Sequence, residues 1–548
     1  MTLDVAQLVR RRATDEQSAL RFEEHDWSYR EFATACAQRA NLLLALRREG
    51  PFHLGVLLDN VPEYPMLLGA AALAGATVVG LNPTRRGREL ERDARHAECQ
   101  LLITEPRHSE LLEGLELPFE SDRVLDVESP AWSQALTPHT GKPVPEIKID
   151  ASAPFLLLFT SGTTGDPKAA VCSQGRLALI GEALSGMRSL TERDVSYLAM
   201  PMFHSNALMA GWAPALAAGM TTVLRRKFSA SGFLPDVRRY GVTYFSYVGK
   251  PLTYILATPS RDDDRDNPLQ VAFGNEGPEH DLKRFAERFG CEVIDSYGST
   301  EGGISISRSP DTPSGALGIG QPGTLILDPE SGEECPHARF DADGRLANAD
   351  DAVGEIANRQ SAAGFEGYWN NQEADHERTR QGIYWSGDLG YRDEAGFLYF
   401  AGRNFDWLRV DGENFAAAPI ERILVRHPDV NLAAVYAVPN SDVGDDVMAA
   451  LVLTNSETFA ADDFERFLAA QADLGTKWAP RYLRVAQSLP STQTNKILKR
   501  TLREERWECA DPVWIRGADG SYRALGEADV ESIREAFRQR SREAELTR

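Results

Sequence analysis

The sequence predicts an α/β fold: a large N-terminal domain of parallel sheets covered by helices, carrying a small β-rich subdomain, and a smaller α+β C-terminal domain. Three observations predict it. Short apolar runs of strand type alternate with helical stretches from Pro51 to Asp295, the pattern of parallel strands joined by crossover helices. From about Gly320 the composition turns to Gly, Asp and Glu between short strands. After Arg403 a second alternation begins, long enough to fold separately, which divides the chain into residues 1–403 and 404–548.

Taken in order, residues 1–50 read as a helical lead-in, with an amphipathic helix starting near Trp27-Ser28-Tyr29. His53–Leu58, Thr77–Leu81 and Leu101–Thr104 read as buried strands, with helices at Glu63–Ala74 and Arg88–His96 between them. Residues 105–150 are rich in Pro and Glu and read as a surface excursion. The strand pattern resumes at Phe155 and recurs at Ser196–Met200, Thr221–Leu224, Thr243–Tyr247, Val271–Phe273 and Glu292–Asp295. Ala207–Ala217 is small and apolar, a helix by composition. In the C-terminal part, helices are expected at Pro419–Arg426 and Ala461–Gln471, and strands at Leu432–Val438, Ala449–Leu453 and Leu483–Gln487. A charged helix follows Glu527.

The chain has 548 residues and a net charge of −22, which argues against nonspecific nucleic-acid binding. An anionic ligand would need a locally positive site. The six cysteines are far apart, with neither metal-ligand nor disulfide-framework spacing, so a reducing cytoplasm is the expected setting. Neither a signal pattern nor a spanning segment is read; Leu67–Leu81 is short for a span and holds three glycines.

The apolar strand Leu156–Phe159 ends in Thr160-Ser161-Gly162-Thr163-Thr164-Gly165-Asp166-Pro167-Lys168. Glycines let backbone N–H groups approach an anion, hydroxyls add donors, and Lys168 adds a compact positive charge. It is not a P-loop, because Asp166-Pro167 separates the last glycine from the lysine. Alone, it can also be read as a flexible surface loop between two strands.

This loop is followed in order by Tyr297-Gly298-Ser299-Thr300-Glu301, Ser386-Gly387-Asp388, Gly402-Arg403 and Lys496. Together they resemble the adenylate-forming superfamily of acyl-CoA synthetases, peptide-synthetase adenylation domains and luciferases, across residues 20–510. Pro201-Met202-Phe203-His204-Ser205, Leu224–Ser231, Gly274-Asn275 and Asp406–Asn414 resemble the branch of very-long-chain acyl-CoA synthetases and fatty-acid-transport proteins.

The resemblance implies a C-terminal domain that moves between half-reactions, with ATP, Mg²⁺ and coenzyme A as the small molecules used. A carboxylic acid would form an acyl-adenylate with release of pyrophosphate, and the coenzyme A thiol would then displace AMP. It also implies the residue roles. The loop from Thr160 through Ser161, Gly162, Thr163, Thr164 and Gly165 to Lys168 would hold the β and γ phosphates. Glu301 would hold Mg²⁺ and Thr300 would donate to the α-phosphate. Asp295, Tyr297 and Gly298, with the backbone of Gly274, Asn275, Glu276 and Gly277, would form the adenine site. Asp388 would accept from the ribose hydroxyls and Arg403 would sit by ribose or phosphate. Lys496 would bridge acid and α-phosphate as the catalytic lysine. His204 would stand near the acyl carbonyl, and Gly412 would line the coenzyme A approach.

Against the family pattern, Phe405 stands at the hinge where many members carry Asp or Lys, and Asn495 replaces a glycine before the lysine. The acid is expected to be a long- or very-long-chain fatty acid, with a sterol-type or other bulky apolar acid as the alternative. A carrier protein in place of coenzyme A, and a decayed lipid-binding protein, are the further readings. Peripheral membrane contact and a homodimer are both compatible with the sequence. Apolar segments at Ala207–Trp212, Tyr244–Val248 and Gly302–Ile306 are the candidates for the acyl pocket.

Overall fold

A computed structural model describes the chain apart from residues 1–2, 161–167, 278, 310, 330, 341–347, 361–363, 404–406, 412, 455–458, 472–473, 491–498 and 547–548. The residues group into two compact units. Among the described residues, the larger takes in 3–83, 90–159 and 168–403; the smaller takes in those from 407 onward with Thr84–Glu89 and Thr160.

The larger unit holds three sheets. One has six strands, in the order Val124–Asp126, Leu101–Thr104, His53–Leu57, Thr77–Gly80, Pro154–Thr160, Lys168–Ser173, and its first five are parallel. A second has seven, in the order Glu292–Asp295, Val271–Asn275, Tyr244–Val248, Val195–Leu198, Thr221–Leu224, Ser18–Phe22, His25–Ser28. All of its pairs are parallel except the last, an N-terminal hairpin. The third is an eight-stranded antiparallel sheet running from Tyr297–Gly298 to Phe397–Arg403 in sequence.

Two expectations change here. The N-terminal lead-in is only partly helical: Ser18–Phe22 is a strand that pairs with Thr221–Leu224. The excursion after residue 105 contributes Val124–Asp126 as an edge strand of the six-stranded sheet. Both are long-range pairings that local periodicity does not reveal.

The core of the larger unit centres on the helix Glu63–Ala74, buried at every position from Tyr64 to Ala74. Each fully buried Leu there contributes roughly 1.5–3 kcal/mol of transfer free energy. The helix has no polar face because it is covered on all sides, packing against the helix Tyr29–Leu46. Contact between the two is close: a Cβ at Gly69 would lie 2.4 Å from Cys36 Sγ. Tyr29–Leu46 starts with a capping box, in which Ser28 Oγ accepts from the Glu31 N–H and the Glu31 carboxylate accepts from the Ser28 N–H.

The smaller unit carries a five-stranded mixed sheet, in the order Val430–Pro439, Asp445–Leu453, Tyr482–Ala486, Val513–Arg516, Tyr522–Ala524. Its helices include Ala417–Leu424, Ala461–Ala469 and Glu527–Gln539. All six cysteines are free thiols; Cys36, Cys99, Cys172 and Cys291 are buried, Cys335 and Cys509 partly exposed. No helix among the described residues is long and apolar enough to cross a membrane.

Candidate active site

The parallel strands Val271–Asn275 and Glu292–Asp295 end side by side, with Gly274 opposite Asp295. Strand ends of this kind are where ligands bind in α/β sheets. Glycine is required at 274: a Cβ there would lie 2.2 Å from the Tyr247 carbonyl oxygen. Beyond it, Asn275 Oδ1 accepts from Asn206 Nδ2 at 3.1 Å, and Glu276 adopts a left-handed φ of +64°. Asp295 Oδ2 accepts from the Gly277 N–H at 2.7 Å and from the Tyr247 hydroxyl at 3.4 Å. Burial outweighs these bonds and pushes the Asp295 carboxyl up to about 7.

Tyr297 follows at the start of the antiparallel sheet, and its hydroxyl donates to Asp388 Oδ2 at 2.5 Å. Burial and that neighbouring carboxylate both hold the phenol well above its ordinary range. Asp388 is the cross-strand partner of Arg403, so the Gly-Asp and Gly-Arg motifs meet across one ladder. Gly298 pairs with Ser305.

Thr300 Oγ1 lies 2.8 Å from Ser205 Oγ, which ties it to the loop carrying His204. The His204 ring packs on Phe203, with centroids 4.2 Å apart. Arg176 Nη2 donates to the Thr300 carbonyl at 2.8 Å. Gly302, at φ +80°, passes close over that guanidinium, where a Cβ would clash.

Glu301 is buried, and Tyr368 donates its hydroxyl proton to Oε1 at 2.8 Å. Burial opposes its charge, yet Arg378, the Tyr368 hydroxyl and Arg176 hold the carboxyl below its ordinary value. An ionised, acceptor-only carboxylate is a donor suited to a hard divalent cation, so Glu301 fits Mg²⁺. The buried Lys168 pairs with Glu377 at 2.8 Å and lies 5.6 Å from the Tyr368 ring centroid. Thr160 closes the strand Pro154–Thr160.

Ser161, Gly162, Thr163, Thr164, Gly165, Gly412 and Lys496 lie outside the described residues, as does the Arg403 side chain. Sequence reasoning missed Arg176, Tyr368, Glu377 and Arg378. Tyr368 stands in Gly367-Tyr368-Trp369, which carried no charge to draw notice. A group made of Asp59, Glu105 and His108 has metal-ligand proximity, but it is already neutralised by Arg107 and Arg226.

A cleft of about 2030 Å³ opens beside Tyr297, Gly298, Ser299 and Gly302. One wall is the helix Gln174–Met187, which presents Leu179, Ile180, Ala183 and Met187; Met209, Phe273 and Ile304 add further apolar surface. Leu179 and Met187 remain 57% and 65% exposed, an unusual amount of apolar surface on one helix face. Of the expected pocket segments, Ala207–Trp212 and Gly302–Ile306 contribute to the cleft. Tyr244–Val248 does not: Tyr244, Phe245 and Tyr247 are fully buried in the core. A central strand covered on both faces is mostly apolar, so it resembles a pocket wall in sequence.

Parallel sheets with a cleft at their carboxyl ends, joined to an antiparallel sheet and followed by a small α+β unit, define an α/β class with a two-unit plan. A family model described as AMP-binding enzyme matches residues 8–369, and one described as AMP-binding enzyme C-terminal domain matches residues 419–496. The chain belongs to the AMP-binding enzyme family. It is 49% identical over 543 residues to a steroid-22-oyl-CoA synthetase of Rhodococcus jostii (strain RHA1), covering 98% of both chains. It is also 49% identical over 494 residues to the medium/long-chain-fatty-acid–CoA ligase FadD17 of Mycobacterium tuberculosis (strain ATCC 25618 / H37Rv), covering 90% of this chain and 94% of that one. Among solved structures, o-succinylbenzoate CoA synthetase (MenE) from Bacillus subtilis matches with a TM-score of 0.75 at 25% identity, covering 93% of this chain and 99% of that one.

Proposed function

We propose that the protein is an AMP-forming acid–CoA ligase acting on a bulky apolar carboxylic acid. The observation that carries this is the juxtaposition of a wide apolar cleft with the Tyr297–Gly302 segment. The relatives support it, being CoA ligases for steroid and fatty acids at 49% identity. A steroid-type acid and a long-chain fatty acid both fit the apolar wall.

In the first step an acid oxygen attacks the α-phosphorus of ATP; a P–O bond forms, the α–β bridge breaks and pyrophosphate leaves. Two anions meet, so oriented donors and positive charge must come first. Lys168 is the cation assigned to the polyphosphate, and binding there would exchange Glu377 for phosphate. Thr300, oriented through Ser205, is the donor to the α-phosphate. Glu301 would hold Mg²⁺, which supplies neutralising charge to the phosphates. Asp388 takes the ribose hydroxyls, while Asp295 and Tyr297 border the adenine. Lys496 is assigned the bridge between acid and α-phosphate. In the second step the CoA sulfur attacks the acyl carbon, a C–S bond forms, the bond to AMP breaks and the thiol proton passes to solvent. In this reading residues 1–403 form the ATP- and acid-binding domain and residues 404–548 the domain that moves between steps.

The test is pyrophosphate release with ATP, Mg²⁺ and a panel of steroid and fatty acids, followed by thioester detection with CoA. Release that depends on a bulky apolar acid, with thioester formed, is expected. No release with any acid refutes the reading; release without thioester on CoA refutes the choice of acceptor.

A further inference from the structure

We propose that Tyr368 is a positioning residue which, backed by Arg378, holds the Glu301 carboxylate in place for a divalent cation; this rests on the assignment of Glu301 to Mg²⁺ made above. A buried carboxylate costs free energy unless its oxygens are bonded. The Tyr368 hydroxyl has one proton, and it goes to Glu301 Oε1 at 2.8 Å. The Tyr368 hydroxyl oxygen in turn accepts from Arg378 Nε at 3.1 Å, so the guanidinium fixes which way the phenol proton points. Arg378 is itself anchored, donating through Nη1 to the Trp385 carbonyl at 3.3 Å.

The tyrosine backbone is held on both sides. Its N–H donates to Asp375 Oδ1 at 2.7 Å, and it bridges Ala170 in antiparallel fashion. The flanking Val171 N–H to Gly367 and Trp369 N–H to Ala169 bonds, at 3.0 and 2.8 Å, bolt the segment to the strand Lys168–Ser173. The helix Gln372–Arg378 completes the arrangement, sending Glu377 to Lys168 and Arg378 to Tyr368. One buried aromatic thus touches both the carboxylate assigned to the cation and the lysine assigned to the polyphosphate. Partners behind a metal ligand set its orientation and basicity, and losing one costs about 10–100-fold in metal affinity.

The experiment uses the full-length chain with ATP present and Mn²⁺ as a paramagnetic probe, measuring free Mn²⁺ by electron spin resonance. Pyrophosphate exchange against Mg²⁺ concentration is recorded in parallel. Tyr368→Phe keeps the ring and its contact with Lys168 but loses the proton. It is expected to weaken Mn²⁺ binding about tenfold and raise the Mg²⁺ half-saturation equally. KM for the acid should stay at the wild-type value, and the melt should stay cooperative with a lowered midpoint, because a buried carboxylate loses one bond. Arg378→Lys, which keeps the charge but not the fork, should move both readouts in the same direction by less. Wild-type Mn²⁺ affinity in a folded Tyr368→Phe protein overturns the proposal. Should that variant not fold, unchanged affinity in Arg378→Lys overturns it. Glu301→Gln separates the two levels: weakened binding there with none in Tyr368→Phe removes only the tyrosine's role. Unchanged binding in Glu301→Gln removes the assignment of Glu301 as well.

Discussion

Asp295 makes the stability of the protein depend on pH in a way that one substitution can isolate. Its carboxyl is moved from 3.8 to about 7, first by burial and against the Gly277 N–H bond. A raised folded pKa means that the native state binds the proton more tightly than the unfolded chain. The contribution is therefore fully present below about 3.8 and is lost as pH rises to about 7, with no further change above that. At about 1.4 kcal/mol per pKa unit the shift corresponds to at most about 4 kcal/mol, and partial solvation should reduce this to about 2. Asp295→Asn keeps a carbonyl oxygen for the Gly277 N–H and cannot ionise. Chemical denaturation of both proteins at pH 4.5, 6 and 8, about one to two pH units apart across that window, gives the comparison. Wild type should lose about 2 kcal/mol relative to Asp295→Asn between the first and last points. Parallel stability curves would show that Asp295 is ionised throughout and that its burial does not control its charge.

Tyr297→Phe removes the hydroxyl bonded to Asp388 at 2.5 Å; a bond to a charged group is worth about 1.5–3 kcal/mol, so KM for ATP should rise at least about tenfold with KM for the acid unchanged. Met187→Glu places a charge on the apolar wall of the cleft and should raise KM for the acid while leaving ATP binding alone, as acid titrations at saturating ATP would show. Lys496→Ala should lower adenylate formation by about 10²–10³ yet still make thioester from supplied acyl-adenylate, which separate half-reaction assays read directly. Arg288→Ala strands the buried Asp264, which Arg288 binds at 2.6 Å, and should cost about 3–5 kcal/mol in a denaturant melt.

The parts of the fold and site that were legible are those written in consecutive residues. The strands His53–Leu57 and Thr77–Gly80 are apolar runs that need no partner to be recognised. Tyr297–Glu301 and Ser386–Asp388 carry their chemistry in adjacent positions, and the structure joins Tyr297 to Asp388 directly. What was not legible depends on contacts between distant segments. Ser18–Phe22 is a strand because Thr221–Leu224 offers it an edge, two hundred residues on. Tyr368 and Arg378 reach Glu301 through packing that no spacing rule encodes. The wall Leu179–Met187 is not legible because an apolar helix face ordinarily turns inward, and only the fold shows that this one lines a cleft.

The four buried thiols give the molecule a built-in clock. Burial pushes Cys172 and Cys291 up to about 12 and raises Cys36 and Cys99 as well, so none offers a thiolate to an alkylating reagent while the native packing holds. Cys172 lies in the strand Lys168–Ser173 of the six-stranded sheet, while Cys291 directly precedes the edge strand of the seven-stranded one. Their labelling rates would time how often each sheet opens to solvent, without any engineered residue, and unequal rates would show that the two sheets breathe independently.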